Sequence, residues 1–246
     1  MRRDDGRRKT ASPSAQPVRG TNPQFLVDKI VRDRVCACPY WKDACFGLNE
    51  ASLVDRAVGL ECVGGTYGGG RRPTRFLCLL LKMLQMQPSA AIVRELLRNA
   101  DHKYVRALAA LYVRLTAASR DVYAELEPLY SDFRKLRVRS EDGRFAIVHM
   151  DEFVARLLRS GGGIECSVQL PQLLPRWTLE AEGSLDRRPS PLMDEYVARM
   201  QRSAAAAEPP PKPDPQTALR SDGGGALSVE ETNRLRAALG LRPLAP

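Results

Sequence analysis

The sequence predicts a mainly α-helical fold: a single multi-helix domain with at most a small β-hairpin, flanked by a disordered arm and a disordered tail. Three observations support this prediction. Apolar residues recur at helical spacing through most of residues 20–177. Capping residues, glycines and prolines divide that pattern into segments. Residues 1–19 and most of 178–226 have few large apolar side chains, so they cannot offset the entropy lost on ordering.

The domain is predicted to be built around the segment from Val63 to Gln85. It starts as a glycine-rich loop and continues into a strongly apolar helix. Thr74 is the predicted N-cap, because its hydroxyl can accept a hydrogen bond from a first-turn amide. The helix from Thr74 to Gln85 has almost no polar face, so we expect it to be buried on all sides. The other helices should pack around it.

Helical segments also precede this loop. Asn22 and Pro23 suit the N-cap and first position of a helix. Its apolar face is predicted to comprise Phe25, Leu26, Val27, Ile30 and Val31. Aromatic residues between 40 and 46 predict a short helix that ends at Gly47, and Asn49 is the predicted N-cap of the next helix.

The helical period resumes after Gln85. The predicted helices cover residues 89–99, 101–116, 122–133, with a break or kink at Pro128, and 150–160. Residues 144–149 alternate after a Glu-Asp-Gly turn signal, which predicts a short strand or one arm of a hairpin. His149 is expected to cap or flank the helix that starts at Met150, while residues 164–174 are ambiguous.

The chain is basic, and its excess charge is unevenly placed. Its 246 residues include 38 Lys and Arg against 29 Asp and Glu, a net charge of +9. Residues 178–246 are nearly neutral, so the excess belongs to the arm and the helical body. This charge suits a polyanionic or acidic partner, and it is equally compatible with ordinary solubility charge.

The spacing of the cysteines and the length of the apolar runs indicate the cellular compartment of the protein. Six cysteines, at positions 36, 38, 45, 62, 78 and 166, lack the paired spacing of a disulfide framework. No secretory segment precedes them. The longest wholly apolar runs, such as Phe76 to Leu81, are far shorter than a membrane span. We therefore expect a reducing, intracellular environment.

The glycine-rich loop is a weak candidate for a nucleotide site. Gly65 and Gly70 have the spacing of a P-loop, but Arg71 and Arg72 occupy the positions that require Lys and Ser or Thr. The glycines are better explained as architecture, because they permit unusual backbone angles and close packing. Arg71, Arg72 and Arg75 could still contact an anion or a partner, although a solvated surface is the more common role of such a trio.

The sequence also lacks the residue spacing that is typical of a metal site or a catalytic site. Cys36, Cys38 and Cys45 do not have the usual zinc spacing, and His102 and His149 are the only histidines. Two histidines do not assemble a Ser-His-Asp order, and the paired carboxylates lie at helix starts, where they favour the macrodipole. We therefore predict no catalytic, metal or cofactor site, and no enzyme.

The densest basic stretch of the body includes Arg134, Lys135 and Arg137, followed by Arg139 and Arg144. It lacks interleaved exposed aromatic residues on which bases could stack, so base-specific RNA reading is not predicted. Contact with phosphates or with an acidic protein stays open.

A short island interrupts the linker of residues 178–226. In residues 227–246, Ser228 and Glu231 form a capping-box pattern, and Gly240 suits the residue after a helix end. The helix so defined, Val229 to Leu239, is too short to be stable alone in water. This favours folding on a partner through Leu235 and Leu239, the alternative being an incidental nascent helix.

Long motifs of the body resemble the pre-mRNA-splicing factor 38 family. They include GTNPQFLVDKIVRDR, YWKDACFGL, VGGTYGGG, PTRFLCLLLKMLQMQP, KYVRALAALYVRLT, LEPLYSDFRKLR and HMDEFVARLL, in this order between residues 20 and 177. The resemblance implies a nuclear, non-enzymatic helical scaffold of the spliceosome, associated with the tri-snRNP and needed as the B complex is activated for pre-mRNA splicing. It also implies partner proteins whose helices lie on this domain.

The tail island resembles a second known element. LSVEETNRLRAALGLRPL is similar to the short helix that binds the ubiquitin-like splicing modifier called "homologous to ubiquitin". The resemblance implies noncovalent docking. Its contact residues would be Arg234, Leu235, Arg236, Leu239 and Leu241. The alternative function for the whole chain is a direct RNA-binding module that uses the basic surface of the helical domain.

Overall fold

Helices form most of the chain that the structure describes. The computed structural model describes residues 17–18, 20–159, 166–188, 190, 192–206, 229–238 and 242. The predicted basic arm, residues 1–19, therefore lies almost entirely outside the described residues. The chain divides after Arg187 into two units.

The first unit contains α-helices and short strands in mixed order. Its helices are α1 (Lys29–Ala37), α2 (Glu50–Val58), α3 (Arg75–Met86), α4 (Ala90–Arg98), α5 (Lys103–Thr116), α6 (Ser119–Leu126), α7 (Met150–Leu158) and α8 (Arg176–Ala181). Its strands are β1 (Val63–Gly64), β2 (Thr66–Tyr67), β3 (Arg72–Pro73), β4 (Lys135–Arg139) and β5 (Phe145–His149). Single 3-10 turns cover Pro23–Leu26 and Glu127–Ser131, and a π-helical turn covers Trp41–Cys45.

The centre of this unit is α3, as predicted. From Phe76 to Gln85 every side chain is buried except that of Lys82, which is half-buried. The Thr74 hydroxyl accepts from the Leu77 amide at 3.2 Å and donates to the Gly64 carbonyl at 2.6 Å, so it caps α3 and also joins it to the glycine-rich loop. The predicted mainly α-helical class is confirmed.

Two other predicted helix starts are confirmed by their caps. Asn49 and Ser52 form a reciprocal capping box at the start of α2. His149 precedes α7, and its backbone amide donates to Glu152 Oε2 at 3.0 Å. In both places the capping pattern is local, so the sequence alone was sufficient to locate the helix start.

The prediction of one continuous first helix is wrong, and so is the prediction of which of its residues are buried. The 3-10 turn at Pro23–Leu26 stops at Val27, whose extended backbone interrupts the helical phase before α1 begins at Lys29. Val27 and Val35 are therefore buried, whereas Phe25 and Ile30 are exposed. Helical spacing cannot relate residues on opposite sides of such a break.

The predicted hairpin is present and has an unpredicted neighbour. Strand β4 pairs antiparallel with β5, and β1 pairs parallel with β4, with Val63 opposite Val138. The order of this sheet is β1-β4-β5. Strands β2 and β3 form a separate antiparallel pair. The glycine-rich loop is thus bound to a hairpin far away in sequence.

Helical structure extends into the range predicted to be a linker, residues 178–226. Helix α8 buries Leu179 in the core, and Leu185 packs against that core, so the first unit continues past the predicted boundary at Trp177. In the second unit, α9 (Met193–Ala206) lies inside the predicted linker and α10 (Val229–Ala238) inside the tail island. Alanine, arginine, glutamate and methionine are strong helix formers, which explains α9 despite its exposed side chains.

Candidate interaction surfaces

The glycine-rich loop is packed rather than open at Gly65, whereas a Cβ atom on Gly68 or Gly69 would meet nothing within 4 Å. The Gly65 carbonyl accepts from the Thr74 amide at 3.0 Å, and the Thr66 amide donates to Ser167 Oγ at 2.9 Å. A Cβ atom on Gly65 would lie 2.3 Å from the Cys166 carbonyl carbon, closer than real Cβ atoms approach their neighbours. The loop therefore serves as architecture, since backbone that packs this closely is not a phosphate cradle.

The three arginines that follow the loop have separate surroundings. Arg71 pairs with Glu141 at 3.2 Å, and both side chains are about half exposed, so this ion pair contributes little. Arg72 is exposed on β3. The Arg75 guanidinium lies 5.4 Å from the centroid of the Tyr40 ring.

Arg134 is engaged within the protein. It donates to Asp132 Oδ2 at 2.7 Å and to the Ala100 carbonyl, while Arg106 donates to the same carboxylate oxygen at 2.6 Å. Burial acts to raise the pKa of Asp132, but the hydrogen bonds from Arg134 and Arg106 outweigh it and lower the pKa to about 2. The network joins the 3-10 turn at Glu127–Ser131 to α5.

The hairpin brings cations and aromatic rings together on one face. Arg139 stacks over Tyr67 at 3.5 Å and lies 5.0 Å from the Phe145 centroid, and Arg137 lies 4.5 Å from the same ring. Phe145 is 49% exposed. The prediction that this basic stretch lacks exposed aromatic residues is therefore wrong, because strand pairing places Phe145 directly opposite Arg139.

A cleft of about 360 Å³ opens beside this face. Arg75 and Arg137, both predicted contact residues, line it together with Arg139, Tyr40 and Tyr67. Lys135, also predicted, is exposed on β4 but does not line the cleft. Three guanidinium groups beside aromatic rings make the cleft suited to an anionic, partly planar ligand.

A larger groove, of about 690 Å³, was not predicted from the sequence. It lies between the end of α3 and helices α4, α5 and α6, and Arg94 and Glu125 pair across it at 3.0 Å. Its apolar lining includes Met86, Pro88, Val93, Leu97 and Val113. The only sequence signal was the Pro88-Ser89 interruption, which redirects the chain and leaves the helices apart.

The cysteines are packing residues. Cys38 and Cys78 have their sulfur atoms 3.7 Å apart, and none of the six cysteines, all of which the structure describes, forms a disulfide. Burial raises the pKa of Cys78, and it raises that of Cys45 to about 11, so these thiols stay protonated and unreactive at neutral pH. In the part of the chain that the structure describes, no three His, Cys, Asp or Glu side chains are grouped to hold a metal ion.

Described helices of this protein are all too short or too polar to span a bilayer.

The structure describes some of the predicted contact residues of the tail helix, α10. Arg234 is exposed, and Arg236 Nε donates to the Arg242 carbonyl at 2.9 Å. Leu239, Leu241 and the side chain of Leu235 lie outside the described residues, as do the predicted capping residues Ser228 and Gly240.

Comparison with known proteins gives matches for both units. Residues 16–183 match the PRP38 family, and residues 226–245 match the HIND motif. Pre-mRNA-splicing factor 38 of Arabidopsis thaliana is 50% identical over 184 residues, covering 75% of this chain and 51% of that protein. Pre-mRNA-splicing factor 38A of Xenopus laevis is 51% identical over 181 residues, covering 74% and 57%. The chain thus spans about half the length of the curated relatives it matches.

A solved structure has the same fold. It is the crystal structure of the Snu23-Prp38-MFAP1(217-258) complex of Chaetomium thermophilum, in which one chain matches with a TM-score of 0.68 and 39% identity. The match covers 77% of this chain and 100% of that one. Sequence motifs, helical core and structural match agree, and the chain therefore belongs to the PRP38 family.

Proposed function

We propose that this protein is a non-enzymatic scaffold of the spliceosome, acting in the nucleus. In this proposal it joins the tri-snRNP and the B complex and is required for activation in pre-mRNA splicing. The observation that carries the proposal is the structural match to one whole chain of a complex containing Snu23, Prp38 and a segment of MFAP1. Two further observations support a binding protein over an enzyme. The matched family consists of splicing factors, and the buried thiols of the body stay protonated.

The groove between α3, α4, α5 and α6 suits a partner helix. Its apolar lining, which includes Met86, Val93 and Leu97, is bordered by polar residues that include the Arg94–Glu125 pair, and an amphipathic helix requires both features of its groove. We assign it to a helical segment of a spliceosomal protein, and the candidates are counterparts of Snu23 and MFAP1, the proteins named in the relative's complex.

Calorimetric titration of the full chain with the Snu23 and MFAP1 counterparts of the same organism tests this assignment. Ala124 is exposed and lines the groove, so Ala124→Arg should fill it without burying a charge and weaken one of the two partners at least tenfold. Ala51→Arg, on the exposed side of α2, is the matched control and should bind as the wild type does. Failure of both partners to bind the wild-type chain would contradict the scaffold function itself. Depletion and add-back in nuclear extract, with B-complex activation as the readout, tests the role in splicing.

For the tail we propose noncovalent docking of a ubiquitin-like splicing modifier. The supporting observations are the HIND match over residues 226–245 and helix α10. In this proposal the docking segment is residues 227–246, and the chain between the body and that segment acts as a linker. Leu235, Leu239 and Leu241 give apolar contacts, and Arg234 or Arg236 pairs with an acidic residue.

Binding of the full chain to the modifier should fall at least tenfold on Leu239→Asp, because a carboxylate would replace an apolar anchor. Ala237→Asp adds the same charge two residues away, on the opposite side of a helix, and should have little effect. Equal loss in both variants would indicate a general charge effect instead of an anchored face.

Direct RNA binding is the second candidate, and the cleft beside the hairpin is the observation that favours it. Arg75 and Arg139 lie there beside Tyr40 and Tyr67, so phosphate and base contacts are both available. RNA affinity of the full chain should then fall steeply with salt and should decrease on Arg75→Ala. A flat salt response would eliminate this candidate.

A further inference from the structure

Strand β5 is an open edge of its sheet. The sheet order β1-β4-β5 leaves one side of β5 without a neighbour in the described chain. The Ser140 amide donates to the Arg144 carbonyl, and the Met150 amide to the Arg134 carbonyl, both at 3.0 Å. With the observed register, these bonds fix the alternation, so Ala146 and Val148 bond to β4. The N–H and C=O groups of Phe145 and Ile147 therefore point away from β4.

Within the part of the chain that the structure describes, no proline, inward charge or covering segment protects this edge. Natural edge strands are blunted by prolines, by inward charges or by a covering segment. Phe145, Ala146 and Ile147 are consecutive, uncharged and exposed, and the Ile147 side chain is 67% accessible. The next outward amide, that of His149, is already used by Glu152. The N–H and C=O groups of Phe145 and Ile147 thus face solvent, beside an apolar surface.

The surface around this edge is cationic. Lys135 lies opposite His149 and Arg137 opposite Ile147, so both cations share the outer face with Ile147 and Phe145. Neither is in an ion pair with a carboxylate among the residues described here. The carboxylates of the hairpin turn, Glu141 and Asp142, pair with Arg71 and Arg144 instead. The edge therefore presents positive charge that no described carboxylate neutralises in an ion pair.

From these observations we propose that β5 binds an extended, acidic segment of a partner protein as an added strand. The main-chain groups of Phe145 and Ile147 supply the hydrogen bonds, and alternate side chains of the segment supply the rest. Apolar side chains of the bound segment pack on Ile147 and Phe145, and its carboxylates pair with Lys135 and Arg137. This inference goes beyond the proposed function, since it depends on the edge strand alone.

The geometry of this edge fits a peptide better than it fits an RNA. Outward-facing amide and carbonyl groups in strand geometry match another strand, whereas phosphates would use only the amides. The exposed Ile147 has no role in stacking a base, but it fits an apolar side chain on an added strand. The RNA candidate above concerns the adjoining cleft, which shares Arg137 and Phe145 with this face and extends to Arg75 and Tyr67.

The experiment titrates the full chain against a fluorescein-labelled peptide with the repeat Glu-Thr-Val-Thr, followed by anisotropy. In a strand, the glutamates and valines of this peptide lie on the same face, so both can reach the outer face of the hairpin. We expect saturable binding that falls at least tenfold when the valines of the peptide are N-methylated, because the methyl groups remove the donors needed for strand pairing. The protein is unchanged in this comparison, so a folding defect cannot explain the result. Equal affinity for the two peptides would overturn the proposal.

Variants then locate the site. Ile147→Pro removes an outward N–H that β4 does not use and should weaken binding at least tenfold, whereas Ile147→Thr keeps that donor and should weaken it less. Reversing both charges, Lys135→Glu with Arg137→Glu, should abolish binding of the acidic peptide and create binding of a peptide with the repeat Lys-Thr-Val-Thr. Arg120→Glu, at an exposed position of α6, is the control. Unchanged affinity in the charge-reversed protein, or an oligouridine probe that binds this edge in place of the peptide, would contradict strand addition.

Discussion

Asp132 is the residue at which electrostatics contributes most clearly to the stability of the fold. Its carboxylate is 8% exposed and accepts from both Arg106 and Arg134. A pKa of about 2 in the folded protein, below the ordinary 3.8, means that folding favours the ionised form. Its stabilising contribution is therefore complete above about pH 5 and is lost as the pH falls toward 2.

We predict that Asp132→Asn lowers the free energy of unfolding by about 2 kcal/mol at pH 7. The gap between variant and wild type should narrow as the pH falls from about 5 to 2, because the wild-type carboxyl then also loses its charge. Urea denaturation at several pH values measures both quantities. Asp55→Asn, at an exposed position on α2, is the control and should change stability little. A gap that stays constant down to pH 2 would contradict the low pKa.

Arg114 is a second residue whose role is structural. It is only 1% exposed, and its guanidinium donates to the carbonyls of Leu157 and Pro171, each at 2.7 Å. It therefore joins α5 to the end of α7 and to the segment before α8. An arginine in an amphipathic helix is expected at the surface, so this role could not be predicted from the sequence pattern.

Arg114→Met should destabilise the protein by about 2–4 kcal/mol, since two buried carbonyl groups lose their donors. Arg94→Met is the matched change at an exposed ion pair with Glu125 and should cost less than about 1 kcal/mol. Chemical denaturation of the two variants side by side gives the comparison. Similar losses at the two sites would show that the buried contacts of Arg114 contribute little.

At the scale of secondary-structure elements, the glycine-rich loop and α3 form one unit. Thr74 bonds to both, and Gly65 allows the loop to approach the Cys166–Ser167 backbone. A side chain at residue 65 would therefore push against main-chain atoms, which cannot move aside cheaply. Gly69, four residues later, has no atom within 4 Å of the same hypothetical Cβ.

Gly65→Ala is accordingly expected to destabilise the protein by about 3 kcal/mol or more, near the upper end of the cost of overpacking. Gly69→Ala should be close to neutral. Thermal unfolding of the two variants measures the difference. A neutral Gly65→Ala would mean that the loop is not packed as the structure has it.

Elements with local signals were the ones that the sequence could predict. Thr74, Asn49 and His149 start helices through hydrogen bonds within three residues, and the structure has all three. The parallel pairing of β1 with β4 joins Val63 to Val138, and no local pattern encodes so distant a contact. The extended backbone at Val27 was missed because helical periodicity continues smoothly through it.

The candidate surfaces were predictable in charge but not in arrangement. Arg75 and Arg137 were predicted contact residues and do line one cleft. Phe145 and Tyr67 were missed as their partners, because only strand register brings these rings to the arginines. Arg134 belongs to the same run of charges in sequence, yet it turns inward to Asp132.

At the scale of the whole molecule, the described core lies between Val27 and Leu179, with Leu185 packed against it. Helix α8 is part of that core through Leu179, and Arg176 pairs with Glu127 at 2.6 Å. The described side chains of α9 are exposed, and none belongs to the core. The stability of the body should therefore depend on α8 and on Leu185.

Two truncations test this division. Removing residues 207–246 should leave the melting temperature of the body within about 2 °C of the full chain, while binding of the ubiquitin-like modifier is lost. Removing residues 178–246 also deletes Leu179, whose burial is worth about 1.5–3 kcal/mol, and should lower the melting temperature by roughly 4–10 °C. Differential scanning calorimetry measures both. A large drop in the shorter truncation would show that the tail stabilises the body, and an unchanged melting temperature in the longer one would place the end of the domain at Trp177, where the sequence pattern predicted it.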